Sequence, residues 1–316
     1  MLEKGKITIL LLSYYSGNRI SSAYFKIKEL LNKEDIPFEF LIIDDGSNDN
    51  SYELAIQLEN EYPDVKAFQL SRNYTSSYSI FAGLTLSSGN CFTVIPDDEQ
   101  QPYSLLIDLY RLWERGEKVI FTQRANRDDP WFSKILSNLY YKAMNNLSVI
   151  EFPKGGTDTF LIDREIVDIL NKRIHPINTS IITEILRLGF SPKFLEFNRP
   201  IGLNNGKSRW SFKKKVKLAK DTFYSSSSFP IKFISFIGIF FSVISFFLIL
   251  FYVYIAIWGN KFFWKIEVRG WTSTILLISF FGGLILLSLG IIAEYIWRIY
   301  EEVKDRPGFI IKKKLQ

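Results

Sequence analysis

Two stretches without a charged residue limit this chain more than any other feature: "FISFIGIFFSVISFFLILFYVYIAIWG", Phe233 to Gly259, and "GWTSTILLISFFGGLILLSLGIIA", Gly270 to Ala293. Each exceeds the roughly 20 residues a helix needs to cross a bilayer core. A buried helical hairpin is the soluble alternative. Against it, Trp258, Trp264, Trp271 and Trp297 stand near the ends of the runs, where amphipathic rings favour the headgroup level. The reading is two transmembrane helices, 233–259 and 271–296, joined by a short external loop, 260–270.

The cations set the orientation. Lys213, Lys214, Lys215, Lys217, Lys220 and Lys232 precede the first run, and Arg298, Lys304, Arg306, Lys312, Lys313 and Lys314 follow the second. Between the runs stand only Lys261, Lys265 and Arg269. Basic residues stay on the cytoplasmic side. A basic juxtamembrane segment (213–232), a basic tail (297–316) and the large N-terminal part are therefore expected there, in a multi-pass protein of the inner (plasma) membrane. A net charge of +6 raises nucleic acid as a partner. The cations cluster at the membrane boundary, however, so anionic lipid headgroups are the closer partner and no nucleic acid is expected. One cysteine, Cys91, excludes an internal disulfide and suits a reducing compartment. The apolar run in "MLEKGKITILLLSYYSG" is too short to span and reads as a first strand rather than a signal peptide.

The soluble part alternates strands with helices. "KITILLLSY", "FEFLIIDDGS", "VKAFQLS" and "CFTVIP" have strand character. "RISSAYFKIKELLNKE", with apolar Ile20, Tyr24, Ile27, Leu30 and Leu31, "NSYELAIQLENEY", capped by Asn48 or Asn50, and "TSSYSIFAGLTLSS" lie between them as helices. This alternation predicts a doubly wound α/β domain on a parallel sheet. Further on, "SLLIDLYRLWERG" and "WFSKILSNLYYKAMNNL" read as helices and "KVIFTQR" as a strand; "TFLIDREIVDILNK" and "TSIITEILRLGF" read as helical or strand-helix units.

In such sheets ligands bind at the carboxyl ends of strands, beside the switch in strand order. Asp44/Asp45 and Asp97/Asp98 both stand at such ends, and Glu99 follows the second pair. Crowded carboxylates are costly unless a cation shares the site or water solvates them. One pair alone reads equally well as a solvated acidic turn, but two pairs at equivalent places point to one shared crevice. His175 precedes Pro176 with no Cys or His cluster and reads as a loop residue, and no Walker-type phosphate loop occurs.

Several segments, in order, resemble the inverting family 2 glycosyltransferases with a GT-A (Rossmann-like) fold. "FLIIDDGSNDNS" is similar to their strand and turn, and "LSRNYTSSYSIFAGLTLSSG" to their Arg-Asn segment and helix. "PDDEQQP" is similar to the Asp-Ala-Asp-Leu-Gln-x-Pro metal motif, and "GGTDTFLIDREIVDIL" to the Gly-Asp-Phe-Arg-Leu segment. "NNGKSRWSF", "SSSSFPIKF", the two apolar runs and "EYIWRIYEEVKDRP" resemble the subset that loads sugars onto polyprenyl phosphate, such as dolichyl-phosphate mannose synthase and bacterial undecaprenyl-phosphate glycosyltransferases.

The resemblance covers essentially the whole chain. It implies a cytoplasmic GT-A domain, 1–212, that moves a sugar from a nucleotide donor, with a UDP-sugar favoured, to a lipid phosphate with inversion. It implies Mg²⁺ or Mn²⁺ held by Asp98 with help from Asp97, and Gln100 near the diphosphate. Asp44, Asp45 and Arg72 match the positions that contact base and ribose. Asp158 matches an acid that orients the sugar or faces the acceptor. An acceptor phosphate is already an anion, so it needs cations rather than a strong base. Arg124, Arg127, Lys134, Arg199, Lys207 and Arg209 are the candidates, with Ser208 as a hydroxyl donor; headgroup contact is the other reading of each.

Four departures stand out. Pro96 replaces the first motif Asp, Phe160 replaces an Arg, Leu203 stands near a second expected Arg, and "LSYYSGN" replaces the Pro-x-Tyr-Asn-Glu segment. Two alternatives remain open: a processive polysaccharide synthase, disfavoured by the lack of a Gln-x-x-Arg-Trp segment, and an inactive scaffold of a glycan-assembly complex. "GGLILLSLG" lets helices approach closely, either in a homo-oligomer or as flexible packing.

Overall fold

The computed structural model describes residues 4–99, 101–124, 142, 145–146, 150, 152–153, 157, 159–177, 179–197, 227, 229–258, 271–304 and 306–312. The chain divides into two compact units. One is Met1–Ser226 with the returning Arg306–Gln316, and the other is Ser227–Asp305.

The first unit is an α/β domain. In chain order it holds β1 (Ile7–Ser13), α1 (Arg19–Lys33), β2 (Phe38–Asp44), α2 (Ser51–Glu61), β3 (Val65–Gln69), α3 (Ser76–Leu86), β4 (Cys91–Pro96) and α4 (Leu105–Glu114). Then follow β5 (Val119–Arg124), β6 (Phe160–Asp163), α5 (Arg164–Arg173), α6 (Ile181–Arg187) and β7 (Lys193–Phe197). Among the described residues the strands form one seven-stranded sheet in the order β3-β2-β1-β4-β6-β5-β7.

Strand periodicity splits the core into two layers. Ile7, Ile9 and Leu11 of β1 pack with Ile20, Tyr24 and Ile27 of α1 and with residues of α2 and α4. Leu10 faces the other way, towards Phe81 and Leu84 of α3 and residues of α5 and α6. Covered on both faces, β1 and β2 are buried at nearly every position, as central parallel strands require.

The expectation of a parallel sheet needs one correction. β1 to β4 are parallel, but β6 runs antiparallel between β4 and β5. β6 follows β5 only after a long intervening stretch, so no right-handed crossover constrains its direction. β7, parallel to β5 at the sheet edge, is a strand the sequence reading left out. Asn50 occupies the N-cap position of α2 but its side chain makes no cap bond; Asp49 Oδ1 accepts the Ser51 N–H instead, at 3.2 Å. The helix expected at 131–147 lies almost entirely outside the described residues.

At the amino end of the sheet Glu39 is buried. It accepts hydrogen bonds from the Thr8 hydroxyl (2.6 Å), the Ser88 N–H (2.6 Å) and the Ser88 hydroxyl. Burial alone would raise its pKa, but the bonds from Ser88 and Thr8, with Lys6 nearby, outweigh it and lower the value. A depressed folded-state pKa contributes stability above the unfolded value of about 4.3, and that stability is lost as pH falls through the folded value. Glu39→Gln is expected to flatten this acid-side loss, read as the thermal midpoint of detergent-solubilised protein against pH.

The second unit holds α7 (Phe229–Trp258) and α8 (Trp271–Val303). Phe241 of α7 meets Phe280 and Phe281 of α8 with ring centroids 5.5 and 5.4 Å apart. Among the described residues one helical stretch, Phe280–Val303, is long and apolar enough to cross a membrane; Phe229–Phe241 is a shorter apolar stretch.

Candidate active site

The register aligns four strand ends. Ser13 lies opposite Asp44, Asp44 opposite Gln69, and Leu12 opposite Pro96. The chain adds β2 and β3 on one side of β1 and then crosses to β4 on the other, so the switch in strand order falls between β1 and β4. That is where a doubly wound sheet opens a crevice at its carboxyl rim.

Backbone strain gathers along the same rim. Among the described residues, Tyr15 (φ 51°), Thr75 (φ 84°) and Glu99 (φ 48°) follow β1, β3 and β4, and Gly46 (φ 72°) follows β2. Non-glycine residues held at positive φ are strained and cluster at functional sites. Gly46 also meets a steric demand: a Cβ there would lie 2.5 Å from the Arg72 carbonyl carbon. Gly46→Ala is expected to cost more than about 1 kcal/mol, because strain and backbone overlap add. A fall in the thermal midpoint of several degrees would register it.

Asp44 is fully buried and holds the rim together. Its carboxylate accepts the Ser47 N–H (2.9 Å), the Ser47 hydroxyl (2.5 Å) and Gln69 Nε2 (2.9 Å). Asp45 reaches across to the loop after β3, accepting the backbone N–H groups of Tyr74 (2.7 Å) and Thr75 (2.9 Å) at the start of α3. Arg72 is exposed in that loop, its guanidinium 4.3 Å from the Tyr74 ring centre. The β2 pair therefore shapes the loop that carries Arg72.

At the tip of β4 Asp97 and Asp98 are both buried, at 4% and 2% exposure, so the solvated-turn reading fails for them. Asp97 Oδ2 accepts Arg19 Nε (2.9 Å), a second Arg19 guanidinium nitrogen (2.6 Å) and the Ser16 hydroxyl (2.7 Å). Glu99 accepts Lys26 Nζ at 2.5 Å. Tyr103 places a buried hydroxyl, without a hydrogen-bond partner among the described residues, near these acids. Burial, then the charges of Glu99, Asp97 and Asp98, push its pKa well above the ordinary tyrosine value. The tip thus gathers three carboxylates, two of them paired with cations: Asp97 with Arg19 and Glu99 with Lys26.

The antiparallel β6 has a consequence here, because it begins where β4 and β5 end. Thr159, just before it, donates its hydroxyl to the Val94 carbonyl (2.5 Å) and its N–H to the Thr122 hydroxyl (3.1 Å). Arg124 closes β5 on the same rim. Gln100, Arg127, Lys134, Asp158, Arg199, Lys207, Ser208 and Arg209 lie outside the described residues. Sequence reasoning missed Arg19, Ser16, Ser47 and Gln69. Arg19 and Ser16 had a usable signal: both follow the carboxyl end of β1 directly, at the predicted switch.

The donor chemistry at the β4 tip fits a divalent cation shared with a diphosphate. Among the described residues no three His, Cys, Asp or Glu side chains group as a metal cage. Mg²⁺-type sites on nucleotides need only one or two carboxylates, with phosphate oxygens and water completing the shell. Asp97 and Asp98 supply two buried carboxylates at this tip.

The family model for Glycosyl transferase family 2 matches residues 18–170. The chain is 32% identical to "Uncharacterized glycosyltransferase YkcC" of Bacillus subtilis (strain 168), over 93% of this chain and 89% of that one. It is 29% identical to the SfII prophage-derived bactoprenol glucosyl transferase of Shigella flexneri, over 98% of each chain. A solved glucosyl-3-phosphoglycerate synthase from Mycobacterium tuberculosis, with Mn²⁺, UDP-glucose and phosphoglyceric acid, overlays with a TM-score of 0.46 at 14% identity, over 68% of this chain and 76% of that one.

Proposed function

The chain belongs to glycosyl transferase family 2, and we propose that it transfers a sugar from a nucleotide donor to a polyprenyl phosphate, inverting the anomeric carbon, at the cytoplasmic face of the membrane. One observation carries this reading: the buried Asp97–Asp98 pair at the β4 tip, beside the switch between β1 and β4. Relatives described as bactoprenol glucosyl transferases, matched over nearly the full chain, support a lipid phosphate as acceptor. The long uncharged runs support a two-helix membrane anchor.

In this mechanism Asp98, with Asp97, would hold Mg²⁺ or Mn²⁺, which supplies positive charge to the departing nucleoside diphosphate. Arg19 neutralises Asp97, and its guanidinium would lie close to a diphosphate bound at this tip. Asp44 and Asp45 hold the loops that flank base and ribose, and Arg72 lines them. Gln100 would contact the diphosphate. Asp158 orients the sugar. Arg124, Arg127, Lys134, Arg199, Lys207, Ser208 and Arg209 gather the acceptor phosphate, which attacks without a base because it is already ionised.

A thermal-shift panel of UDP-, GDP- and dTDP-sugars with Mn²⁺ tests the donor half. Ligand that binds only the folded state raises the midpoint, so one nucleotide class is expected to stand out. A flat panel would favour the inactive scaffold. A product that lengthens with time would instead favour a processive synthase.

A further inference from the structure

We propose that the C-terminal segment 306–312 is a built-in part of the nucleotide-sugar site, with Lys312 a positioning residue that acts through Gln69 on Asp44; this rests on the donor reading above. The segment returns to the first unit and adds to the free edge of the sheet beyond β3. Ile311 pairs antiparallel with Leu70. The Lys312 N–H donates to the Gln69 carbonyl (2.8 Å), and the Ser71 N–H to the Ile310 carbonyl (2.8 Å). Phe309 and Ile311 pack against the core layer that contains Leu70 and Phe81. Gly308 lies so close that a Cβ would sit 2.7 Å from Pro176 Cγ and 3.1 Å from Tyr78 Cε1.

Covering an exposed strand edge would explain the backbone pairing by itself. It does not explain the side chain of Lys312. Its ammonium donates to Gln69 Oε1 at 2.8 Å, while Gln69 Nε2 donates to Asp44 Oδ2 at 2.9 Å and to the Ser47 carbonyl at 3.2 Å. An amide has one accepting and one donating end, and an ammonium only donates. Lys312 therefore fixes the amide with its NH₂ turned inwards. The flipped amide would set Oε1 against the buried Asp44 carboxylate and NH₂ against the ammonium, a mismatch at both ends. A cation on the surface thus locks, from outside, the amide orientation that Asp44 and the Ser47 carbonyl require from inside. Gln69 leads directly into the loop carrying Arg72 and Tyr74, held from its other side by Asp45. The segment and Asp45 clamp that loop between them.

The test uses full-length protein in detergent with Mn²⁺, and UDP-glucose and GDP-mannose as probes, comparing wild type with Lys312→Met, Lys312→Arg and Gly308→Leu. Calorimetry gives nucleotide-sugar affinity, steady-state assays give donor KM, acceptor KM and kcat, and a melt without nucleotide gives the midpoint. Lys312→Met is expected to weaken donor binding about five-fold, the net worth of one such hydrogen bond. Donor KM rises in step, kcat and acceptor KM hold, and Lys312→Arg recovers most of the loss. Gly308→Leu, which wedges the segment outwards, weakens the donor at least as much. Unchanged donor affinity in Lys312→Met, or a lower midpoint with no change in KM, overturns the positioning role while the donor reading stands. Wild-type protein that binds neither these probes nor a dTDP-sugar overturns both.

Discussion

Asp98→Asn is expected to lower sugar transfer by about 10³-fold, the scale of removing one group that stabilises charge developing in a transition state. The substitution keeps the size of the side chain and removes its charge, so the strand end should persist. The control is the thermal midpoint without nucleotide. Loss of activity with the midpoint held within a few degrees assigns the effect to charge. Transfer within ten-fold of wild type would mean that Asp97 carries the role, despite its engagement with Arg19.

Arg19→Met is expected to give the largest loss of stability in the crevice. Asp97 is 4% exposed, and its Oδ2 takes two bonds from Arg19 and one from Ser16. Removing one partner of a buried pair strands the other charge, at about 3–5 kcal/mol when both are enclosed. The Arg19 side chain is 33% exposed, so solvent screens part of this and about 2–3 kcal/mol is the expectation. Urea unfolding measures it. Asp97→Asn in the Arg19→Met background should recover most of the loss, because no stranded charge remains. Equal losses in the single and double variants would mean that the lost packing of Arg19, rather than its charge, is responsible.

The first half of the fold was legible because its signals are local. β1 and β2 are apolar runs that end in turn residues, and α1 buries Ile20, Tyr24 and Ile27 at helical spacing. Placing both acidic pairs on one rim followed from the topology rule alone. The direction of β6 was not legible, since "FLID" is equally strand-like either way and only its pairing with β4 and β5 decides. β7 was missed because "KFLEF" is short and carries a charge on each side of its apolar centre. The partners of Asp44 and Asp97 were hidden for another reason. Gln69 and Arg19 lie 25 and 78 residues from the acids they contact; the position of Arg19 just after β1 at the switch placed it on the rim, but nothing in the sequence paired it with Asp97 or Gln69 with Asp44. The C-terminal segment read as a basic tail, because Lys312, Lys313 and Lys314 look like membrane-facing cations until the pairing of Ile311 with Leu70 is seen.

The whole account stands on a crevice that passes sugar from nucleotide to lipid. Membranes containing the chain, given Mn²⁺ and a UDP-sugar labelled in the sugar, should move label into the organic phase, more so when polyprenyl phosphate is added and not at all in Asp98→Asn membranes. Label that stays in the aqueous phase with every common nucleotide sugar, under conditions where the protein is folded and the lipid is present, would contradict it.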